Sequence, residues 1–405
     1  MSPHRMTWGF AYTMPFAAII AVAVLASMFM ASNEIKRVPL TSITVLLVLF
    51  LGWMTISTVF ALYPTTAWEL YKRVVKIILM TFITIMIMAD KNRIEMLVWT
   101  IVVSLGFFGI KGGVYTIVTA GSGRVWGPPG SFVEDNNALA LALLMLIPLV
   151  NYLRMTALNI WVQRALLFSM VLMVASIVGS QSRGALVGGL AMLFYMWVKS
   201  RSKLATGVAG IVLLTTVYTF MPQSWHDRMA TIQTYEQDRS AQGRINAWME
   251  AYYIAKDRLT GGGYGQWTPE SFALYAPDPL DVHDAHSIYF KVLGEHGFIG
   301  LFLFLIIGVF SLGTANWNIR QTDRIEELKW ANDLSRMVFV SIIAYATGGA
   351  FLGLAYYDLY YHLIAILVLT QQVIKNYLNR ATSDSSEGQG LLVKPPLQEF
   401  VRRGR

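Results

Sequence analysis

Long apolar blocks separated by short polar turns run along this chain as far as about residue 374. Ten of them approach the roughly twenty residues that cross a bilayer as a helix, and residues 74–89 form a shorter eleventh. Only helices and closed barrels satisfy their own backbone hydrogen bonds in hydrocarbon. The pattern predicts an all-α, polytopic membrane helix bundle of about eleven spans, with residues 1–405 as one integral membrane domain. The ten longer blocks are 9–31, 39–62, 94–119, 137–153, 160–180, 184–198, 204–221, 297–313, 336–355 and 358–374.

Composition excludes several classes of protein. Hydrophobic residues make up 55% of the chain and charged residues 14%, whereas a soluble domain carries about a quarter charged residues. The chain has no cysteine, which excludes disulfides and thiolate metal sites. Its net charge of +8 does not indicate a nucleic-acid partner, because most basic residues lie in short connecting loops.

The basic clusters predict the orientation of the chain, because short loops rich in Lys and Arg stay in the cytoplasm. The clusters are Lys199 to Lys203, Arg154 with Arg164, Arg320 to Arg336, and the tail from Lys375 onward. Parity then places residues 120–136, the turn around Arg183 and the loop 222–287 on the outer side of the membrane. The same parity puts Met1, Lys72 and Arg73 outside, so either one N-terminal span is miscounted or one precedes this chain.

Residues 222–287 are the only long hydrophilic segment between two predicted spans, and such long loops usually have a function. Within this large outer loop, residues 244–257 predict an amphipathic helix with Ile245, Trp248, Tyr252 and Ile254 as its apolar positions. The glycines at 261–265 predict a turn. The polar tail 380–405 is expected to be disordered and cytoplasmic.

Two arginines on the predicted outer face are candidates for phosphate binding. Arg183 lies between two spans, where a charge is costly unless it is paired, and Arg244 opens the amphipathic helix. A guanidinium group can bind two phosphate oxygens at once. The alternatives are that Arg183 only extends to the headgroups and that Arg244 is a solvated surface charge.

His286 lies where the large loop returns to the membrane, close in sequence to Asp284. Histidine suits proton transfer near neutral pH, and a neighbouring carboxylate can fix its tautomer. A loop histidine without a chemical role is one alternative. A metal site that includes His283 is another, although two histidines without a firm third ligand are a weak signal for a metal.

Other polar residues are weaker candidates for contacts with a diphosphate or a sugar. They are Arg124, Asn137, Tyr264, Asp284, Lys72 and Arg73. Asn136 and Asn137 are equally suited to cap the following helix, and Lys72 and Arg73 to extend toward headgroups. No glycine-rich nucleotide loop is present, so a soluble nucleotide donor is not favoured.

Four short motifs together resemble the O-antigen ligase and polymerase superfamily. They are Ser180-Gln181-Ser182-Arg183-Gly184, Gly243-Arg244-Ile245-Asn246-Ala247-Trp248, Gly262-Gly263-Tyr264-Gly265, and His286-Ser287-Ile288-Tyr289-Phe290 followed by Leu293-Gly294-Glu295-His296-Gly297. The resemblance covers about residues 120–315, and its specificity comes from the order and spacing of the motifs. The opening Pro3-His4-Arg5-Met6-Thr7-Trp8-Gly9-Phe10 is similar to O-glycosylation ligases of exosortase A systems, in which a hydrophobic segment precedes this stretch. We therefore expect the native reading frame to extend upstream.

The resemblance implies an inverting glycosyl transfer that uses no metal and no other cofactor. The donor would be a glycan on undecaprenyl diphosphate, and the acceptor a hydroxyl group of a lipid, protein or glycan at the outer face. His286 would be the general base, and Arg183 and Arg244 would bind the diphosphate. Two alternatives stay open: a polymerase of lipid-linked glycans with the same chemistry, and a small-anion transporter, which should carry polar or broken helices at mid-membrane depth.

Overall fold

The computed structural model describes residues 14–30, 37–200, 202–230 and 239–390, which form fourteen α-helices and no strand. Two short 3₁₀ turns, Glu326–Leu328 and Gly349–Phe351, flank α13. The helices are α1 (Phe16–Met30), α2 (Ser42–Val59), α3 (Pro64–Ile87), α4 (Lys91–Val118), α5 (Asn136–Thr156), α6 (Ile160–Gly179), α7 (Arg183–Lys199), α8 (Lys203–Phe220), α9 (Gln223–Ala230), α10 (Arg239–Asp257), α11 (Pro269–Tyr275), α12 (Ile288–Thr322), α13 (Lys329–Gly348) and α14 (Asp358–Gly390).

The predicted fold class is confirmed: the chain is a polytopic, all-helical membrane protein. Within the described residues, seven helices are long and apolar enough to cross a membrane, namely α2, α4, α5, α6, α8, α12 and α13 with its flanking turns. Each of the eleven predicted blocks overlaps one helix, whereas the count of eleven spans stays a prediction. The block at 74–89 belongs to α3, which begins at Pro64, a residue suited to the first helical position. Lys72 and Arg73 therefore lie within a helix.

Helix α5 is the centre of the bundle, and α8 lies at its edge. Of the most apolar stretch of 18 residues in α5, 83% is buried, whereas none of the corresponding stretch in α8 is buried. The backbones of α4 and α6 approach closely at Gly113, where a Cβ atom would lie 2.1 Å from the carbonyl oxygen of Leu172. Such close contacts between helices are characteristic of membrane bundles, because apolar side chains gain little free energy by leaving lipid for one another, and close backbone packing contributes more.

The turns of the bundle gather at two ends. The large loop, residues 60–63, 119–135, 180–182 and 349–357 meet at what we call the site end, where the Leu62 N–H donates to the Gly262 carbonyl (2.8 Å) and the Val125 N–H to the Gly179 carbonyl (3.1 Å). Residues 88–90, 157–159 and 323–328 lie at the opposite end. There the Tyr152 hydroxyl donates to Glu95 (3.3 Å).

Helix α10 confirms the amphipathic helix predicted over 244–257, and of its predicted apolar face Ile254 is buried, whereas Ile245 and Tyr252 are not. Ile245 and Tyr252 are 37% and 42% exposed. Besides Ile254, the buried stripe consists of small and polar residues: Gly243, Asn246, Ala247, Glu250, Ala251 and Ala255. The reason is steric, because Ala251 packs directly against Gly294 of α12, and only small side chains allow that approach.

Helix α12 is kinked at Gly297, whose φ of 67° is in the left-handed region. The carbonyl oxygens left open by the kink are satisfied by other segments. The Gly294 carbonyl accepts from the Gly262 N–H (2.8 Å), the Glu295 carbonyl from the Gly263 N–H (2.9 Å), and the His296 carbonyl from the Trp53 indole (2.8 Å). The glycine-rich turn at 261–265 therefore caps a short half-helix, and the apolar span predicted from residue 297 begins at the kink.

The C-terminal helix corrects one boundary. Residues 380–390, predicted to belong to a disordered tail, continue α14 as far as Gly390, since extending an existing helix costs far less than nucleating one. Residues 391–405, the motif at Pro3 to Phe10 and Arg201 lie outside the described residues.

Candidate functional site

His286 directly precedes Ser287, the N-cap of α12, and is half-buried at the site end. Its φ of 43° is unusual for a residue other than glycine, and such strain often marks a functional position. Burial lowers the pKa of His286 below its ordinary value of 6.5; the Asp284 carboxylate opposes this shift and the Arg244 guanidinium adds to it. His286 is therefore mainly neutral near pH 7, the form that accepts a proton.

Arg244 lies near His286 because other residues of α10 form hydrogen bonds with the segment that precedes this histidine. The Asn246 side chain donates to the carbonyls of Asp278 (2.7 Å) and Asp281 (3.0 Å), and the Trp248 indole donates to the Ala285 carbonyl (2.7 Å). The Trp248 ring also stacks on Phe290 of α12, with centroids 4.7 Å apart. The motif that contains Arg244 therefore contacts both the segment before His286 and the helix after it.

Asp284 faces a lysine that the sequence analysis did not select. The Lys291 ammonium lies 3.4 Å from the Asp284 carboxylate, on the first turn of α12. A cation at the start of an apolar span is itself a signal of function, so Lys291 could have been found from the sequence.

Arg183 begins α7, after a turn in which Gln181 has a φ of 56°. The Ser182 hydroxyl caps the helix by accepting from the Ala185 N–H (3.2 Å). The Asn136 side chain donates to the Ser180 carbonyl (2.7 Å) and fixes the turn to the start of α5.

The loop between α13 and α14 lies between the turn before Arg183 and the segment that contains His286. Gly184, next to Arg183, packs on Leu352, where a Cβ atom at position 184 would lie 3.1 Å from the Leu352 Cγ. A Cβ atom at Gly353 would lie 3.2 Å from the Asp284 Oδ2 and 3.7 Å from the His286 Cα. Arg183 and His286 are thus separated by one short loop, although they are 103 positions apart in sequence.

The segment 124–137 also joins the site end, with one correction. The N-cap of α5 is Asp135, which accepts from the N–H groups of Asn137 (2.9 Å) and Ala138 (3.2 Å), so neither asparagine is the cap. The Asp135 carboxylate also acts on His286, raising its pKa against the larger effect of burial. Arg124 lies over the Trp126 ring, 5.9 Å from its centroid.

The remaining candidates separate into two groups. Tyr264 and Arg73 line a cavity of about 210 Å³ together with Lys291 and Glu295. Lys72 is exposed on α3 and does not line this cavity.

His283 occupies a different position from His286. Its Nδ1 lies 2.9 Å from an Asp281 carboxylate oxygen, and its ring packs against Gly243, where no other residue would leave room for it. Among the described residues, no group of three or more histidine, aspartate or glutamate side chains is placed to hold a metal ion.

Two family models match parts of this chain. Residues 168–305 match the family model described as O-antigen ligase. The matched O-antigen ligase segment contains Arg183, Arg244 and His286, and it supports a place for the chain in the O-antigen ligase superfamily as a ligase-type or glycosyltransferase-type membrane enzyme. Residues 1–158 match a second model, a family of unknown function, DUF5935. No curated protein matches the chain.

Proposed function

We propose that this protein transfers a glycan from undecaprenyl diphosphate to an acceptor hydroxyl group at the periplasmic face of the bacterial inner membrane. The observation that carries the proposal is the meeting of His286, Arg244 and Asp284 at one end of the bundle, one loop from Arg183. All four residues lie within the segment that matches O-antigen ligases.

His286 acts as the general base. The acceptor oxygen attacks the anomeric carbon from the face opposite the diphosphate, and its proton passes to the neutral imidazole as the new C–O bond forms. The bond between the anomeric carbon and the diphosphate oxygen breaks, so undecaprenyl diphosphate leaves and the anomeric configuration inverts. Asp284 orients the imidazole and stabilises the imidazolium that forms.

Arg183 and Arg244 bind the diphosphate. Its negative charge grows as the glycosidic bond breaks, and fixed guanidinium groups stabilise developing charge most strongly in a partly buried site. The two arginines supply the positive charge that many transferases obtain from a divalent metal ion.

Acceptor identity separates the ligase from the alternatives. A polymerase would use the same residues on a growing lipid-linked glycan, so only the acceptor that the protein uses separates it from a ligase. A transporter would need polar groups along a path through the bundle, whereas the described residues with a strained backbone gather at one end.

The test is transfer by purified protein with a lipid-linked donor and acceptor, with and without EDTA. His286→Ala should reduce turnover by about 10²–10⁴-fold, the usual contribution of a general base, and leave donor binding intact. His283→Ala is the matched control and should have a much smaller effect. Sensitivity to the chelator, or near-normal transfer by His286→Ala, would contradict the proposal.

A further inference from the structure

A small cavity lies directly beside His286 and has no part in the chemistry described above. It has a volume of about 210 Å³ and is enclosed by α3, the start of α12, the glycine-rich turn and the loop between α13 and α14. Gly353 lines the cavity and also contacts His286 and Asp284. Lys291 lines it too, and pairs with Asp284 at 3.4 Å.

The cavity wall combines aromatic faces with a few fixed polar groups. The aromatic residues are Phe132, Tyr264, Trp267, Tyr356 and Tyr357. Glu295 is 1% exposed, and its carboxylate accepts from the Tyr356 hydroxyl (2.7 Å) and the Gly265 N–H (3.4 Å). Lys291 and Glu295 are four residues apart on one helix, so both reach the same side of the cavity.

Trp267 provides an independent sign of a ligand. Its indole Nε1 is buried and has no hydrogen-bond partner among the described residues. An unsatisfied buried donor costs free energy, and native proteins rarely keep one without a purpose. Because this atom is out of reach of solvent, a ligand hydroxyl group in the cavity would reach it only after the indole ring turns.

We propose that this cavity binds one pyranose ring of the glycan. A pyranose has an apolar C–H face that packs on aromatic rings and a rim of hydroxyl groups that both donate and accept hydrogen bonds. Trp267 and Lys291 supply donors, and Glu295 supplies acceptor oxygens. The volume is below the roughly 300–1,000 Å³ of pockets for drug-sized molecules, so the cavity suits one ring.

This inference rests on the proposed glycosyl transfer and adds the position of a sugar. The ring belongs either to the donor, next to the diphosphate, or to the acceptor that His286 activates. The two sources share one chemistry, and kinetics separates them.

Binding is tested first, without any need for transfer. The protein is labelled with 5-fluorotryptophan, and the Trp267 resonance is assigned by its loss in Trp267→Phe. Methyl glycosides of glucose, N-acetylglucosamine and glucuronic acid are then titrated against the labelled protein. At least one should shift the Trp267 resonance saturably and leave the resonance of Trp317, a tryptophan near the end of α12 that faces Lys375, unchanged. No shift at Trp267 with any of them would overturn the proposal.

Kinetics then identifies the source of the ring. Trp267→Phe keeps an aromatic ring at the cavity wall and removes the five-membered ring of the indole with its N–H, so it should raise one KM about two- to tenfold with little change in kcat. A higher KM for the donor places the donor sugar in the cavity, and a higher KM for the acceptor places the acceptor sugar there. Unchanged values for both, with Trp317→Phe as control, would contradict the proposal. A saturable shift at Trp267 in a protein that transfers nothing would reject the proposed function and retain the sugar site.

Discussion

The two ends of the bundle both carry clusters of cations, yet their surroundings differ. At the opposite end, Lys199, Arg324, Lys329 and Arg336 line a cavity of about 470 Å³. Two of these cations pair with exposed carboxylates: Arg336 with Asp323 at 3.2 Å and Lys329 with Glu326 at 3.4 Å. Exposed pairs of this kind contribute little free energy. At the site end, Arg244 acts on a half-buried histidine instead.

The backbone shows the same difference. Every described residue with a positive φ lies at the site end or in the kink beside it: Ala120, Gly121, Gly130, Gln181, Gly261, Gly263, Gly265, His286 and Gly297. The described turns of the opposite end use ordinary conformations. Positive charge alone therefore does not distinguish a site from an anchor in this protein. We expect backbone strain and partial burial around a titratable group to distinguish them.

Labelling of introduced cysteines should give the largest difference between the two ends, because each position is either accessible or inaccessible to the reagent. The chain has no cysteine, so single cysteines can be read without background. Leu280→Cys in the large loop should react with an impermeant maleimide once the outer membrane is permeabilised, because Leu280 is 93% exposed. Glu327→Cys, at the opposite end, should react only after detergent is added. The reverse pattern would place the site end in the cytoplasm.

Substitution of an arginine should reduce transfer activity at the site end and leave it unchanged at the opposite end. Arg183→Lys keeps the charge and loses the bidentate geometry, and Arg244→Ala removes the charge. Each should reduce kcat/KM by about tenfold to a hundredfold, the value of a hydrogen bond to a charged group. Arg324→Ala, at the opposite end, is the control and should transfer normally. Equal losses in all three variants at normal protein levels would remove support for the diphosphate site.

Two glycines of α12 test whether the site end is held in a strained conformation. Gly297→Ala forces a Cβ atom to within 2.3 Å of the Leu259 carbonyl oxygen at a positive φ, so it should destabilise the fold by at least about 1–3 kcal/mol. Gly313→Ala, in the same helix, meets nothing within 4 Å and should be neutral or slightly stabilising. The midpoint of thermal unfolding in detergent compares them. Similar midpoints for the two variants would show that the kink is not required.

The smallest expected effect is a shift in pH dependence. A base works only when deprotonated, so transfer should fall as the pH drops through the pKa of His286, which burial sets below 6.5. Asp284 raises that pKa, so Asp284→Asn should move the acidic limb of kcat/KM to lower pH. Asp323→Asn, at the opposite end, should leave the limb unchanged. A limb that moves to higher pH in Asp284→Asn would contradict the role of His286.

The candidate site could be predicted in part. His286, Arg183 and Arg244 are recognisable because their motifs are local, and each lies beside an apolar block whose end is visible in the sequence. Asp135 and Gly353 could not be selected in this way. Their proximity to His286 depends on the packing of segments about 150 positions before it and about 70 after it.

The buried face of α10 shows the limit of hydrophobic pattern. A hydrophobic pattern detects the contrast between apolar and polar positions, and that contrast predicted Ile245, Trp248, Tyr252 and Ile254 as the apolar face. Of these, Ile254 is buried, whereas Ile245 and Tyr252 are exposed. The structure buries Gly243, Ala247 and Ala251 instead. The contact with α12 selects small residues there, which periodicity does not detect.

The sequence by itself determined that the chain is an all-helical membrane protein with one large polar loop, because the bilayer imposes length and hydrophobicity on each span independently. Tertiary structure alone decided which polar groups meet. Inside a membrane, apolar side chains gain little by leaving lipid for one another, so close packing at small residues and hydrogen bonds between segments set the arrangement. Those contacts bring the Gly353 loop to His286 and close the cavity around Trp267, Lys291 and Glu295.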